Sequence, residues 1–316
     1  MYSRKKRRLL RCLTYIECKT KDWDGLNNIY NRELSGNKNW VFRGEKRRKD
    51  DKHNAVHRTG LEKGFSAFGI GSKRDKRRWE KDLIREFKRK LYLYETQVPA
   101  SEDKLEWLAL MQHYGAPTRL LDFTYSFYVA CYFAVAEMDC VTEVTEVWAF
   151  DANWFSEEEK VKRIIGINAN SKEKSKFDEI KKRMEEESNM TYMDEDSISR
   201  NAIVSYLMEN PKPFVYSVTP FRLNERLTIQ HGTFLFPGDV TRSFIENLSM
   251  PEEYRSKSGK NLYRVIMKLN RREKARILRE LDGMNINQSV LFPGLEGFAR
   301  TLRTRFAFPD RRPPNI

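Results

Sequence analysis

The chain has 316 residues and a hydrophobic content of 40%, enough for the core of one large domain or two modest ones. Its formal net charge of +14 favours contact with polyanions. No apolar run reaches membrane-spanning length, and the four cysteines show neither a CxxC pair nor a disulfide framework. We therefore expect a cytoplasmic protein with reduced thiols that makes no contact with a membrane.

The first part of the chain is basic and then helix-forming. We predict an N-terminal helical arm over residues 1–38, with its helix near 23–34, and a main domain over residues 39–316. The main domain begins with a short apolar strand over 39–42. Residues 45–72 are charged and aperiodic, which predicts a loop.

A strongly basic helix is predicted next. Apolar residues recur every three or four positions between 75 and 94, leaving one basic face. Residues 43–90 hold 18 Lys and Arg against 8 Asp and Glu. This excess predicts a nucleic-acid partner, with RNA favoured over DNA, and a solvated helix face is the alternative. The candidate contacts are Lys73, Arg74, Arg77 and Arg78.

Several element ends follow one another closely after residue 100. Ser101 is a candidate N-cap of a helix that stops at Gly115, where Pro117 completes a sharp turn. A strand over 118–123 and a helix opening near 124–126 are predicted to follow. Binding and catalytic groups favour such strand and helix ends.

The rest of the chain mixes strands and helices without strict alternation. Strands are predicted over 143–150, 214–218, 228–236 and 263–269, and a further strand is predicted to end within 290–297, where a last basic helix begins. A helix is predicted over 271–281, and a surface-exposed helical insertion over about 155–200. This order favours an α+β fold with a largely antiparallel sheet over a doubly wound one.

Four short blocks of sequence carry a resemblance to a known family. They are Phe42-Arg43-Gly44, Gln112 to Asp122 with Ala130 to Ala134 after it, Gln230 with Gly232 and Phe234, and Leu291 to Gly297. In this order the blocks resemble the signatures of FRG-domain proteins, a bacterial family named for its aromatic-Arg-Gly tripeptide.

The block order also resembles that of mono-ADP-ribosyltransferases, which use NAD as a substrate. The resemblance implies a split antiparallel sheet surrounded by helices, an early-strand Arg that grips NAD, and a later strand that carries a catalytic Glu. At that later place this chain has Gln230-His231-Gly232-Thr233 and no acidic residue. The departure weakens the implied chemistry more than the implied fold.

Arg43 and Gly44 are the first candidates for NAD contact. An Arg at a strand end can hold a phosphate through two hydrogen bonds while the neighbouring Gly lets the backbone approach. A structural bridge from Arg43 to a carboxylate is the alternative. His113 can act as an acid or a base, and Tyr114 can stack on a base; a helix-end His and a core Tyr are the alternatives.

Arg119 and Asp122 lie three residues apart on the predicted strand, so they occupy opposite faces. One is expected to face the pocket and the other to form a buried ion pair. Cofactor contact is predicted for Arg119 and Thr124, and catalysis for Asp122. Capping of the next helix is the alternative for Thr124.

Gln230 and His231 stand where the transferase Glu would be. Gln230 is a catalytic candidate because it can bond a ribose hydroxyl, although it cannot neutralise a growing positive charge, and His231 is a candidate for cofactor contact. Asp122, Asp239 and Glu296 are candidates for supplying the carboxylate from another position.

A zinc site is the one metal centre that the residue types suggest. It would need Cys12, Cys18, His53 and His57, whose spacings are poor. No metal is therefore expected.

Three functions remain open at this point. The first is an NAD-dependent ADP-ribosyltransferase acting on a nucleic acid, as a toxin or an anti-phage effector with an antitoxin or chaperone as partner. The second is a non-catalytic module that senses a nucleotide and signals to a partner protein. The third is an RNA-binding protein or a nuclease, and the lack of a clustered metal site counts against the nuclease.

Overall fold

The computed structural model describes residues 15–36, 38–47, 57–95, 98–136, 144–167, 171–188, 194–222, 224–249 and 260–308. The strands in these ranges are β1 Ile16–Thr20, β2 Trp40–Arg47, β3 Leu121–Thr124, β4 Val144–Asp151, β5 Val215–Val218, β6 Gly232–Pro237 and β7 Leu262–Lys268.

Helices surround the sheet. They are α1 Trp23–Ile29, which continues as a π-helical turn over Tyr30–Leu34, α2 Gly60–Ala67, α3 Lys73–Leu91, α4 Lys104–His113, α5 Phe127–Ala136, α6 Ala152–Ser156, α7 Glu158–Ile165, α8 Ser171–Ser188, α9 Glu195–Glu209, α10 Glu225–Ile229, α11 Phe244–Ser249, α12 Arg271–Gly283, α13 Gln288–Leu291 and α14 Leu295–Thr301, followed by a 3-10 turn, Leu302–Ala307. No helix within the described residues combines the length and the apolar character needed to cross a membrane.

The seven strands form one sheet in the order β1-β7-β4-β2-β3-β6-β5. Neighbouring strands run antiparallel except β1, which pairs in parallel with β7. The predicted α+β fold with a largely antiparallel sheet is confirmed. The edge strand β1 lies inside the segment predicted as a helical arm, and its residues were not predicted to form a strand.

The two halves of the sheet are joined weakly. β2 pairs with β4 along its whole length, from Trp40 opposite Asp151 to Arg47 opposite Val144. Its register with β3 consists of the single pair Phe42 and Thr124. The four-stranded half β1-β7-β4-β2 therefore separates from the three-stranded half β3-β6-β5 just beyond this pair.

The strands bury side chains on both faces. Along β2 and β4, Val41 and Trp148 belong to one core, whereas Phe42 and Ala149 belong to the other. The first core contains the inner faces of α8 and α9, and the second contains those of α5 and α12. The insertion predicted over 155–200 is helical, but it is not wholly exposed, because its apolar side chains complete the first core.

The predicted loop over 45–72 is wrong in part. β2 continues to Arg47, and α2 forms over Gly60–Ala67, while residues 48–56 lie outside the described ranges. Thr59 starts α2 with a capping box: its hydroxyl accepts from the Glu62 N–H at 3.2 Å, and the Glu62 carboxylate accepts from the Thr59 N–H at 3.1 Å. The Thr-x-x-Glu spacing that encodes this start is visible in the sequence.

The predicted strand over 118–123 is shorter and later in the structure, at Leu121–Thr124. Side-chain bonds hold the residues before it in place of a strand ladder. The Thr118 hydroxyl donates to Gln112 at 2.6 Å, and Arg119 pairs with Glu80. The helix before this segment starts two residues later than predicted, because Asp103 rather than Ser101 accepts the capping bond from the Glu106 N–H.

Two further strand predictions are wrong in part, at places where an Asn caps a short helix. The strand predicted over 228–236 is confirmed from Gly232 onward as β6, but residues 228 and 229 end the helix α10, which Asn224 caps by accepting from the Leu227 N–H at 2.8 Å. The last helix predicted to begin within 290–297 is confirmed as α14, which starts at Leu295, but the strand predicted to end there is replaced by α13, which Asn287 caps. In both cases an Asn starts a short helix where the apolar run favoured a strand.

Candidate functional site

A cleft of about 930 Å³ opens where β2 and β3 separate. This volume lies near the top of the usual range for small-molecule sites, roughly 300–1,000 Å³. The backbone of β2 closes the floor: a side-chain carbon at Gly44 would collide with the Ala130 carbonyl oxygen and lie 2.7 Å from the Ala134 N. Gly44 therefore serves close packing of β2 on α5, rather than leaving room for a ligand.

Charged and aromatic side chains are interspersed around the cleft. The acidic residues are Glu45, Asp122, Glu225 and Glu296, the basic ones are Arg43, Lys46, Lys63, Arg226 and Arg300, and the aromatic ones include Tyr132, Phe133 and Phe292. Opposite charges in one cleft can hold an anionic group and a developing cation side by side.

Arg43 is held at the point where the sheet opens. Its Nε donates to the Glu45 carboxylate at 2.6 Å, and its Nη1 donates to the Asp122 carbonyl oxygen at 2.7 Å. The second bond joins β2 to β3 through a side chain where the strand ladder has ended. The third guanidinium nitrogen, Nη2, has no acceptor among the described residues and is available to a ligand.

Glu45 is the group that orients Arg43, and His57 lies behind it. The Glu45 carboxylate accepts from the His57 backbone N–H at 3.1 Å, and the His57 Nδ1 lies 3.4 Å from the same carboxylate. Burial raises the pKa of Glu45, but His57 and Arg43 outweigh it and hold the pKa well below its ordinary value. Glu45 is thus an anion at every physiological pH, and the guanidinium keeps its orientation.

His113 ends α4 and lines the cleft. Burial lowers its pKa, and the positive charge of Arg226 lowers it further. Its ring is therefore neutral near pH 7 and can accept a proton.

Asp122 points into the cleft from β3, and the signature block around it holds its carboxylate. The Gln112 amide donates to Asp122 at 3.1 Å, and the Thr118 hydroxyl donates to the other end of the same amide at 2.6 Å. The Gln, Thr and Asp of the block therefore form one hydrogen-bonded chain that ends at the cleft.

Thr124 and Gln230 tie the inner wall of the cleft together. The Thr124 hydroxyl donates to the Gln230 carbonyl oxygen at 2.6 Å and accepts from the Ser126 N–H at 3.0 Å. The Gln230 side chain donates to the Leu291 carbonyl oxygen at 2.8 Å. Thr124 thus supports the turn into α5, and both residues also line the cleft.

The structure keeps other predicted residues away from the cleft. Arg119 is 1% exposed and forms a two-point ion pair with Glu80. Tyr114 is half exposed and donates to Glu95, beside a separate apolar groove. His231 has a left-handed backbone, with φ at 48°, and its carbonyl oxygen accepts from the Tyr125 N–H.

The prediction that Arg119 and Asp122 have opposite roles is confirmed, with Asp122 at the cleft and Arg119 in the core. The assignment of Arg119 to a cofactor contact is not supported by its position. Lys73, Arg74, Arg77 and Arg78 are exposed on α3 and do not line the cleft.

Among the other carboxylates that were considered, Glu296 lines the cleft and Asp239 does not. Asp239 is buried and accepts from the Thr241 hydroxyl at 2.7 Å. Glu296 pairs with Arg300 at 2.5 Å on α14. Of the three carboxylates considered as a replacement, Asp122 is therefore the one that lines the cleft and has no ion-pair partner within the described residues.

Several cleft residues were missed by the sequence analysis. Glu45 had a usable signal, because it lies two residues after Arg43 on one strand and so shares its face. Phe292 lies in the fourth signature block, but nothing in the sequence placed that block at the cleft. Arg226 had no signal, since only tertiary packing brings α10 to the cleft.

Residues 38–142 match the sequence model of the FRG domain. The chain contains an FRG domain. The match includes the Arg43 strand, the Gln112 to Asp122 block and α5, so one wall of the cleft belongs to the FRG domain. The opposite wall, from α10 to α14, lies beyond the matched residues. The comparisons with curated proteins and with solved structures found no match.

No group of three or more His, Cys, Asp or Glu in the described ranges is arranged to hold a metal ion. Of the four residues weighed as zinc ligands, Cys12 and His53 lie outside those ranges.

Proposed function

We propose that the cleft of this FRG protein binds NAD and transfers its ADP-ribose group to a nucleic acid. The observation that carries the proposal is the convergence of Arg43, His113 and Asp122 on one cleft. The held guanidinium of Arg43 suits a pyrophosphate, and the rings of Phe133 and Phe292 offer apolar surface to a base.

The residues of the cleft suit each part of the transfer. The bond between nicotinamide and the ribose C1 atom breaks, and nicotinamide leaves with the bonding electron pair. An oxygen or nitrogen of the acceptor then bonds to C1, and the proton it loses passes to a base. His113 is suited to this role because its lowered pKa keeps it neutral near pH 7.

Asp122 is proposed to replace the Glu that transferases carry on the later strand. Positive charge develops on the ribose as the bond to nicotinamide breaks, and a fixed carboxylate stabilises it. Gln112 holds the Asp122 carboxylate at 3.1 Å. Gln230 uses its amide N–H on Leu291, which leaves its oxygen for a ribose hydroxyl.

The nucleic-acid acceptor is proposed from the basic helix α3. Arg74 and Arg77 are exposed and have no ion-pair partner among the described residues, and Arg78 pairs with Asp82 at 3.5 Å. Two contacts fix the helix on the domain, since Glu80 pairs with Arg119 and the Lys88 ammonium donates to the Ser101 carbonyl oxygen. A fixed row of cations attracts phosphates without reading sequence.

An ADP-ribose group attached to an RNA adds bulk and negative charge that can inactivate the RNA. We therefore propose a cytoplasmic toxin or anti-phage effector that an antitoxin or chaperone restrains. This setting follows from the proposed chemistry and from analogy with transferases of that kind.

The direct test is incubation of the purified chain with NAD labelled in its adenylate phosphate, together with RNA, DNA or cell lysate. We expect label on RNA and release of nicotinamide, both lost in Asp122→Asn. The matched control is Asp178→Asn, an exposed residue on α8 that lies outside the cleft lining. Absence of transfer and of NAD turnover, alone and with its partner protein, would end the proposal.

A second function is supported by β6, whose residues Gly232–Pro237 include no acid. A cleft that keeps Arg43 but lacks the strand carboxylate suits a sensor that binds NAD and signals to a partner. Calorimetry that shows NAD binding without nicotinamide release would favour this function over transfer.

A further inference from the structure

Arg226 differs in its surroundings from the other two arginines that line the cleft. It lies on α10, is half buried, and its guanidinium stands 4.4 Å from the centre of the Phe292 ring. No carboxylate or carbonyl oxygen within the described residues accepts a hydrogen bond from it. The Phe292 ring covers the flat face of the Arg226 guanidinium, and the N–H groups at the edge of the guanidinium remain open to the cleft.

The other two arginines of the cleft show what Arg226 lacks. Arg43 donates to Glu45 at 2.6 Å, and Arg300 donates to Glu296 at 2.5 Å. A guanidinium that is half removed from water and has no hydrogen-bond acceptor leaves strong donors unsatisfied. A ligand with an anionic, two-oxygen edge would satisfy them.

We infer that Arg226, stacked on Phe292, is a second anion subsite of the cleft and binds a phosphate monoester of a nucleotide. The inference rests on the proposed function and names the ligand class more narrowly. Arg43 binds one phosphate group beside β2, and Arg226 binds another beside α14. The second phosphate belongs either to the cofactor, as a ribose phosphate, or to the end of the acceptor strand.

Filling of the subsite would have a consequence for His113. Arg226 lies close enough to lower the pKa of His113, and Asp122 and Glu296 are the acidic groups whose charges reach Arg226. A dianionic phosphate on Arg226 would offset the positive charge that His113 experiences. The His113 pKa should therefore rise when the subsite is filled.

Calorimetry on the full chain tests the subsite. The probes are adenosine, NAD, NADP and an oligonucleotide with and without a 5′ phosphate. We expect the variant Arg226→Gln to weaken binding of the extra-phosphate probes at least tenfold, with NAD affected less and adenosine unchanged. NADP favoured over NAD would assign the phosphate to the cofactor, and preference for the 5′-phosphorylated strand would assign it to the acceptor.

Two control variants test whether a change in affinity comes from the position and the shape of the Arg226 side chain. Arg272→Gln removes the same charge from the exposed start of α12 and should leave all affinities unchanged. Arg226→Lys keeps the charge but not the planar fork, and we expect it to fall between the native chain and Arg226→Gln. Thermal unfolding of each variant confirms that it is folded.

The titration of the histidine rings, followed by NMR, gives a readout that a merely structural Arg226 would not move. The chain has four His residues, so the His113 signal can be assigned by substitution. We expect the His113 pKa to rise on adding the preferred probe to the native chain, and to stay unchanged in Arg226→Gln.

The two possible failures are distinct. If the native chain bound none of the nucleotides, the proposed function and this inference would both be overturned. If it bound them and Arg226→Gln bound them equally well, the inference alone would be overturned.

Discussion

Arg43 and Arg119 belong to two signature blocks of the same domain, but their surroundings are opposite. Arg119 is sealed in the core, where Glu80 takes two of its nitrogens and the Pro237 carbonyl oxygen lies 3.3 Å from the third. Arg43 uses two nitrogens on Glu45 and Asp122 and keeps one at the cleft. A motif arginine is therefore structural or functional according to the acceptors that the fold leaves for it.

The buried glutamates Glu80 and Glu106 extend the comparison. Glu80 faces the guanidinium of Arg119, whereas Glu106 forms no ion pair among the described residues and accepts from the Arg222 backbone N–H at 2.7 Å. Burial raises the pKa of Glu106 to about 7, and the nearby charge of Asp103 adds to the rise. The core thus contains one carboxylate that pairs with a cation and one that takes up a proton as the pH falls through about 7.

The largest expected effect is on the core arginine. Arg119→Met leaves the Glu80 carboxylate buried without a cation, and we expect a loss of about 3–5 kcal/mol in the free energy of unfolding. The double variant Glu80→Gln with Arg119→Met should recover much of this loss. Urea denaturation measures both, and equal losses in the single and double variants would contradict the account.

The second-largest effect on stability is expected at Gly44, in the floor of the cleft. Gly44→Ala drives a side chain into the α5 backbone at Ala130, and we expect a loss of about 2–3 kcal/mol in unfolding free energy. Gly64→Ala is the matched control, because it lies in α2 with open space around it and should be neutral or stabilising. Similar melting temperatures for the two variants would show that β2 does not pack on α5 as described.

Substitution of Arg43, the arginine at the cleft, should affect ligand binding more than stability, which is the reverse of the effect expected for Arg119. We expect Arg43→Gln to weaken NAD binding by about 1.5–3 kcal/mol, measured by calorimetry, because a charge-assisted hydrogen bond to the pyrophosphate is lost. The loss of unfolding free energy should be smaller than for Arg119→Met. A large loss of stability with unchanged affinity would make Arg43 a structural residue.

The smallest expected effect is the pH dependence of stability that comes from Glu106, the buried glutamate without an ion pair among the described residues. The folded pKa of Glu106 lies above its unfolded value of 4.5, so its contribution to stability is complete below that value and is lost as pH rises through 7. We expect unfolding free energy to fall by about 1–2 kcal/mol between pH 5 and 8 on account of this group. Denaturation across that range should show a flatter profile in Glu106→Gln, and an unchanged profile would contradict the assignment.

Local pattern was sufficient for much of the fold. The basic helix, the turn at Gly115, the strand before Asp151 and the helix at 127–136 were predicted because apolar periodicity and turn residues act over a few positions. The wrong predictions of secondary structure also came from effects that act over a few positions. Asn224 and Asn287 start short helices in runs whose apolar content favoured strands, and their capping competes on nearly equal terms with strand propensity.

The site was predictable only where one short segment contains it. The convergence of Arg43, His113 and Thr124 on one cleft was predicted and is confirmed. The placement of Tyr114 and His231 at the ligand was not supported, because the Tyr114 hydroxyl is turned to Glu95 and His231 lies outside the cleft lining. The direction in which a helix-end side chain points depends on what packs beside it.

The sequence by itself determined most of the element types and the signature blocks, because these follow from periodicity and turn residues along one segment. Only the tertiary structure decided that Glu80, 39 residues earlier, neutralises Arg119, and that Arg226 and Phe292 complete the cleft. It also decided that the sheet opens beyond Phe42 and Thr124. Contacts between distant segments depend on how whole helices and strands pack, and no local pattern of residues encodes that packing.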